Sequence, residues 1–469
     1  MTTPESLTIL WFRRDLRLCD HAALTAAAAR GPVLPVFVLD PIFESLGAAA
    51  KLRLLLSLRA LSQDLEARGM RLVLRRGAAW PVLQELATES GADAIFWSRA
   101  YDPASVERDT EVKVAAKDAG LKAESFIGAL LFEPWSVKTG QGGPYRVYTP
   151  FWKAVRHRDV APCLPVPKLV APTQWPESDA LEDWQLGVDM RSGFEVVAGQ
   201  VQAGEEAAQA KLACFLETKA DGYKAQRDFL GEAATSDLSD ALTFGEISPA
   251  QMWHGGRRRM QEGAAGAEHF LKEVVWREFA WHLLWHYPDM DKKNWREDWA
   301  LFHWHENASD PFFFAWCQGR TGIEVVDAAM RELYVTGKMH NRARMIVASY
   351  LTKHLRMHWR LGLAWFADCL VDWDPASNAM GWQWVAGCGP DAAPYFRIFN
   401  PDTQAEKFDG DRDYRRYWLD PQSEGAQAFM QAIPRSWLPV FETPLAAPIV
   451  ALSAGRDAAL KAYETFKSQ

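Results

Sequence analysis

LTILWFRRDLRLCDHAALTAAAARGPVLPVFVLD, residues 7–40, reads as strand, loop, helix and strand. LTILWF and VLPVFVLD are short, almost wholly apolar runs, and the alanine-rich stretch between them has helical composition. Strands that are apolar throughout must be covered on both faces, and a helix joining two of them is the crossover of a parallel sheet. The pattern repeats outward through a helix around Lys51 to Arg68, the run LVLRRG, a helix from Trp80 to Glu89, and AIFWS. It predicts an α/β domain with a doubly wound parallel sheet and room for a nucleotide-like ligand at the strand ends. No GxGxxG follows the first strand, so a dinucleotide fingerprint is not supported there. Asp20 stands where a helix N-cap is expected, which makes FRRDLRL the strand-to-helix loop. Its arginines either bind an anion or pair with Asp15 and Asp20, and the nearby carboxylates favour pairing.

A chain of 469 residues is too long for one small core, so two domains are expected. From about Val137 to Glu205, stretches such as KTGQGGPYRVYTPFWKA and APCLPVPKLVAPTQWPES exclude one regular element and read as a linker wrapped over the surface. Beyond Glu205, helical spacing continues to the end. The expected division is residues 1–132 as the α/β domain, 133–204 as the linker and 205–469 as an all-α domain. A formal net charge of −8 argues against an all-round nucleic-acid coat. A local basic patch is still open: eight Lys/Arg face three Asp/Glu between Arg320 and Arg360, and Arg257, Arg258 and Arg259 form a second cluster. Solvated helix faces explain both clusters equally well. The 22 tryptophans favour stacking or redox aromatics over a chain of ordinary composition, although many indoles serve only as core. Six cysteines have no metal-ligand spacing, so no metal site is expected. Neither a leader nor an apolar run long enough for a bilayer is seen, which predicts a soluble, cytoplasmic protein.

Chemistry concentrates in the second half. In DCLVDWDPASNAMGWQWVAGCGPDAAPYFRIFNP, residues 368–401, Asp374 and Pro375 read as N-cap and first-turn proline. The helix they start carries Asn378 and Trp382 on one face, while Trp384 turns about 200° from Trp382. Small residues interleaved with them let a flat ligand or another backbone come close, and a tightly packed helix hairpin is the alternative. TSDLS puts Thr235, Ser236 and Ser239 at a helix start, either as a phosphate cradle or as a simple N-cap. In GKMHNRARMIVASYLTKHL, a helix from about Lys338 to Leu355, Asn341, Arg344, Met345 and Ala348 share a face and Arg342 turns away. A buried Arg344 needs a carboxylate, and Asp372 and Asp374 are the candidates. In FLKEVVWREFAWHLLWH, Glu273 and Trp276 are three apart, so a carboxylate and an indole meet one neighbour.

FRRDLRL, YRVYTPFWKA, TSDLS, VVWREF, VVDAAMREL with GKMHNRARM, and WDPASNAMGWQWVAG with GPDAAPYFRIFNP occur in the order seen in the DNA photolyase/cryptochrome family. The chain resembles that family over nearly its whole length, and most of all a bacterial cyclobutane pyrimidine dimer photolyase. The resemblance implies FAD held in the helical domain by Tyr223, Thr235, Ser236, Asp237, Leu238, Ser239, Asn341, Arg344, Asp372, Asp374 and Asn378. It implies a pocket for a flipped-out dimer walled by Glu273, Trp276, Met345 and Trp384, with Arg227, Arg277, Arg342 and Gln404 toward the DNA. It further implies electron-transfer tryptophans Trp382, Trp359 and Trp304, with Trp299 or Trp316 as alternative outer ends. An antenna chromophore is expected, a methenyltetrahydrofolate near Glu107 being favoured over a deazaflavin or flavin. By the same resemblance, photoexcited reduced FAD passes an electron to the dimer, the cyclobutane ring splits and the electron returns.

Two functions of different classes follow: a repair enzyme, and a cryptochrome-like light sensor without turnover. All the substrate walls are present and the chain ends at Gln469 without a long tail after FRIFNP, which favours repair. Photolyases specific for (6-4) photoproducts resemble one another in a histidine pair on the helix that here carries Asn341 and Met345, so cyclobutane dimers are the expected substrate. Ala379 and Met380 replace the Asn-Gly of many class I members and leave the class open. A monomer acting on damaged DNA, with no membrane, is the expected state.

Overall fold

The computed structural model describes residues 6–392, 394–442 and 447–468. Residues 1–5, part of the stretch read above as lacking a leader, and Ala393, within the GPDAAPYFRIFNP motif, lie outside them. Five parallel strands form one sheet: β1 (Thr8–Phe12), β2 (Val33–Leu39), β3 (Val73–Arg76), β4 (Ala94–Ser98) and β5 (Lys122–Phe126), in the order 3-2-1-4-5. β1 lies between β2, with Ile9 opposite Leu34, and β4, with Ile9 opposite Ile95, and every residue of these three strands is buried. Helices on both faces complete the doubly wound domain that the apolar runs predict. β5 was not foreseen, because KAESF is a half-exposed edge strand with no apolar run.

The strand-to-helix loop differs in detail from the sequence expectation. Asp20 has φ of 50° and does not cap the helix Ala22–Ala28; the His21 ring does, accepting from the Leu24 N–H at 3.1 Å. The Asp20 carboxylate instead accepts from the Ser248 hydroxyl and the Leu164 N–H, which ties the loop to both later segments. Pairing does dominate over anion binding, with other partners. One Arg13 guanidinium nitrogen donates to both Asp109 oxygens at 2.6 Å, Arg17 donates to the carbonyls of Asp20, Gly128 and Gly245, and Asp15 is engaged by His21 at 3.0 Å.

Part of the expected surface linker is core. YTPFWKAV forms the helix Tyr148–Val155, and Tyr148, Phe151, Trp152 and Val155, at helical spacing, are all buried. The helix packs on the longest helix of the second half, Ala267–His286. From Glu205 onward the structure is helical. Where the α/β helix Ala48–Glu66 meets this half, Arg53 is fully buried and holds the equally buried Glu246 in a bidentate pair. Asp240 at 3.4 Å and the Ser57 hydroxyl at 2.6 Å take two further donors, and the Gly204 N–H donates to Glu246 at 2.8 Å. Burial would weaken such charges, but the paired carboxylates hold the Arg53 pKa up and Arg53 holds the Asp240 pKa down.

Among the described residues no helix is long and apolar enough to cross a membrane.

Candidate active site

A cavity of about 810 Å³ opens in the helical half, within the range that holds a nucleotide-sized ligand. A second chamber of about 230 Å³ shares Tyr223, Ser236, Leu238, Ser239, Arg344 and Asp372 with it, so the two are adjoining parts of one concavity. The larger is lined by Tyr223, Thr235, Ser236, Asp237, Leu238, Ser239, Asn341, Arg344 and Asp372, and the smaller adds Asp374 and Asn378. Every side chain expected to hold the cofactor therefore reaches this space.

Asp374 caps the helix Pro375–Ala386 as the sequence predicts, accepting from the Ser377 N–H at 2.7 Å with proline at the first turn. Its other oxygen accepts from the Trp281 indole at 3.0 Å. Asn378 donates back to the Asp374 carbonyl at 3.0 Å. Gly381 lines the large cavity, and a Cβ built there would meet no protein atom within 4 Å, so the backbone is bare to the cavity. Trp384 faces the cavity, whereas Trp382 points into the core against Phe366, with centroids at 4.9 Å. Its six-membered ring fits only because residue 362 is glycine; a Cβ there would stand 2.1 Å from it.

Arg344, half-buried, pairs with the buried Asp372 at 2.7 Å and also donates to the Met339 carbonyl at 2.8 Å. The second oxygen of Asp372 is buried without a partner, an acceptor left for a ligand N–H or O–H. The TSDLS segment departs from the expectation. The helix begins only at Ser239, runs five residues to Thr243, and has Leu238 as its N-cap with no side-chain bond. Thr235 and Ser236 are therefore not caps; with Ser239 they supply a row of hydroxyls on the cavity wall. Asp237, at φ of 50°, is turned to Lys338 at 2.8 Å and Lys211 at 3.2 Å.

The large cavity is also lined by Glu273, Trp276, Met345 and Trp384, with Arg227, Arg277 and Arg342, and Glu273 and Arg277 line the smaller chamber as well. Arg227 is ion-paired to Glu273 and packs its guanidinium on Tyr223, while Arg342 pairs with Asp228 at 2.8 Å and lies over Phe408 at 4.4 Å. Arg277 turns inward, donating to the Ala129 carbonyl at 2.8 Å. Gln404, on the helix Pro401–Phe408, is not part of the lining. Sequence reasoning missed His269 and Glu332, both on the cavity wall. His269 lies one turn before Glu273, 3.7 Å from its carboxylate, a spacing that the helix pattern contains. Glu332 accepts from the Tyr414 hydroxyl at 2.5 Å, and burial pushes its carboxyl up to about 7.

Gly362, in contact with Trp382, lies one helical turn from the buried Trp359, whose indole donates to Asn294 at 2.7 Å. His358 stands 5.5 Å from Trp359 and 5.4 Å from Trp304 between ring centroids, and Trp304 is partly exposed. Trp299 and Trp316 are both fully buried, which excludes either as an exposed terminus. At the strand ends, Arg13 and Arg108 each place a guanidinium over Trp11, at 4.7 and 4.8 Å, and the crevice they fill keeps only about 50 Å³. Glu107 is exposed on the helix Pro103–Asp118 and lines none of these spaces.

Two family models match: "DNA photolyase" over residues 8–170 and "FAD binding domain of DNA photolyase" over residues 270–465. The deoxyribodipyrimidine photo-lyase of Agrobacterium fabrum is 44% identical over 100% of this chain and 99% of its own length. A crystal structure of a bacterial class III photolyase from Agrobacterium tumefaciens superposes with a TM-score of 0.91 at 43% identity, covering 100% of this chain and 99% of the other. An archaeal photolyase from Sulfolobus tokodaii, solved with two FAD molecules, gives 0.80 at 28% identity, covering 98% of this chain and 100% of the other. A cavity with an FAD-sized reach, an α/β domain and a helical half in one chain, and identity of this degree along the entire length have one common explanation: the chain belongs to the DNA photolyase family.

Proposed function

We propose that the protein is a light-dependent lyase that binds DNA carrying a cyclobutane pyrimidine dimer and restores the two pyrimidines. The observation that carries this reading is the continuity of the cavity. One wall brings together a paired Arg344 and Asp372 with a free buried acceptor, a row of hydroxyls, and Glu273, Trp276, Met345 and Trp384. The residues fit FAD: Thr235, Ser236 and Ser239 suit its phosphates, Asn341, Arg344, Asp372, Asp374 and Asn378 its ring edges, and the bare backbone at Gly381 a flat face. When bound and reduced, FAD supplies light-driven donation and recovery of one electron. The chain's own work is to admit the dimer and exclude water. Glu273 accepts from a base N–H, Trp276 and Trp384 cover the base faces, and Met345 fills the space between with a polarisable side chain. A dimer already stacks and pairs poorly, so extruding it costs less than extruding normal bases, and part of the selectivity lies there.

Trp382, Trp359 and Trp304 are read as a path for electrons from the protein surface inward, supported by the contacts through Gly362 and His358. The domain division at residues 132 and 204 is kept as a proposal, with the helix Tyr148–Val155 assigned to the helical half by its packing. For the antenna, a folate held near Glu107 is preferred over a deazaflavin or flavin seated at the strand ends, where the crevice lined by Arg13 and Arg108 keeps only about 50 Å³. Glu107, exposed on the helix that borders that crevice, marks the side from which it would approach. The experiment is direct: the purified flavin-loaded protein is illuminated with duplexes carrying one cyclobutane dimer or one (6-4) photoproduct, and restored thymines are counted by chromatography. Repair of the first and not the second is expected. Binding without repair of either would leave the light-sensor reading.

A further inference from the structure

Only one face of the Trp276 indole is open to the cavity it lines. The other is covered by Tyr148, whose ring lies parallel to it, with 3.6 Å between centroids and 6° between planes. Tyr148 is itself fixed at three points. Its hydroxyl donates to the Lys272 carbonyl at 2.6 Å, one turn before Trp276 on the same helix. Its backbone N–H donates to the Asp391 carboxylate at 3.1 Å, and Phe279 meets both rings edge-on at 5.9 Å. The segment between the sheet and the helical half, the helix carrying Glu273 and the loop before Tyr395 thus converge on one indole.

An indole on a cavity wall would otherwise lose rotamer freedom when a base stacks on it, and affinity would fall by that cost. We infer that Tyr148 is a positioning residue for damage recognition, holding Trp276 in the plane in which its open face receives the flipped-out dimer. The inference rests on reading Trp276 as a stacking wall. Tyr148 touches no substrate in this scheme; it acts through Trp276, and it explains why YRVYTPFWKA, a motif with no part in the chemistry, packs behind an indole of the cavity wall.

Dark binding by the flavin-loaded protein tests it, with a duplex containing one cyclobutane thymine dimer and the same duplex undamaged. Tyr148→Leu is expected to weaken dimer binding about two- to tenfold, the size of one aromatic pair, with undamaged-duplex affinity and flavin content unchanged. Tyr148→Phe, which keeps the ring, restores most of the preference. In a Trp276→Ala background, Tyr148→Leu has no further effect. Equal weakening of both duplexes, an unchanged preference, or the same loss added to that of Trp276→Ala would overturn the inference. If Trp276→Ala alone leaves the preference intact, the stacking-wall reading fails instead, and the two failures are separable. Should Tyr148→Leu not retain flavin, Asp391→Ala loosens Tyr148 without touching its ring. A reduced preference in that variant supports the inference, and an unchanged one overturns it.

Discussion

Arg344→Met tests the floor of the cavity. Asp372 has a side chain only 4% exposed, one oxygen without a partner and the other held by Arg344 at 2.7 Å. Removing Arg344 strands a buried carboxylate, for which the loss is about 3–5 kcal/mol. Because the Arg344 side chain is itself 24% exposed, water reaches the pair and the lower end applies. A loss of about 3 kcal/mol corresponds to a roughly hundredfold smaller folding constant. Urea unfolding of flavin-stripped protein, followed by circular dichroism, measures it, and flavin absorbance of the protein as purified reports retention. The double variant Arg344→Met with Asp372→Asn no longer buries an unpaired charge and should recover most of the stability, though not flavin binding. A single-variant loss under about 1 kcal/mol, or a double variant no better than the single, would show that the pair is not the constraint described.

Trp382→Phe should block light-driven reduction of the oxidised flavin by an external thiol and spare repair by pre-reduced enzyme; normal photoreduction would sink the electron path. Gly362→Ala should act in the same direction by displacing the Trp382 ring, read as slower photoreduction with dimer affinity intact. Arg342→Ala should flatten the slope of log K against log salt by roughly 0.9 for duplex DNA if Arg342 meets a phosphate, and an unchanged slope would leave it as a partner of Asp228 only. Glu278 accepts from the Leu131 and Phe132 N–H groups, yet burial raises its carboxyl from 4.5 to about 7. The folded state therefore binds the proton more tightly than the unfolded chain, so this group's contribution to stability is present below about pH 4.5 and lost as pH rises toward 7. Glu278→Gln should remove that part of the decline in a pH series of thermal melts, and an unaltered profile would contradict it.

The α/β half was legible because LTILWF, VLPVFVLD and AIFWS are buried on both faces, which leaves an apolar signature; KAESF at the sheet edge carries none. The Asp374–Pro375 pair likewise located the cap, and spacing the different destinations of Trp382 and Trp384. Other features depend on contacts between distant segments. Nothing local distinguishes Asp20 as a tether to Ser248 from Asp20 as a cap, and nothing in TSDLS announces that its helix lasts five residues. The proline and glycine around YTPFWKAV obscured four buried side chains at helical spacing. His269 was readable one turn from Glu273, while its proximity to the cavity depends on how the long helix packs.

The buried pair of Arg53 and Glu246 has a consequence for how the chain is made. Its partners are 193 residues apart, so the helix Ala48–Glu66 leaves the ribosome with an arginine whose carboxylate partners among the described residues, Asp240 and Glu246, are not yet made. At about 5–20 residues per second, Glu246 follows roughly 10–40 s later. During that interval Arg53 stays in water on the face that the helical half later covers, and that face of the nascent first half is open to proteases and chaperones. A ribosome-bound chain stalled before residue 246 should be cleaved readily within the helix Ala48–Glu66, and one extended well beyond it should resist.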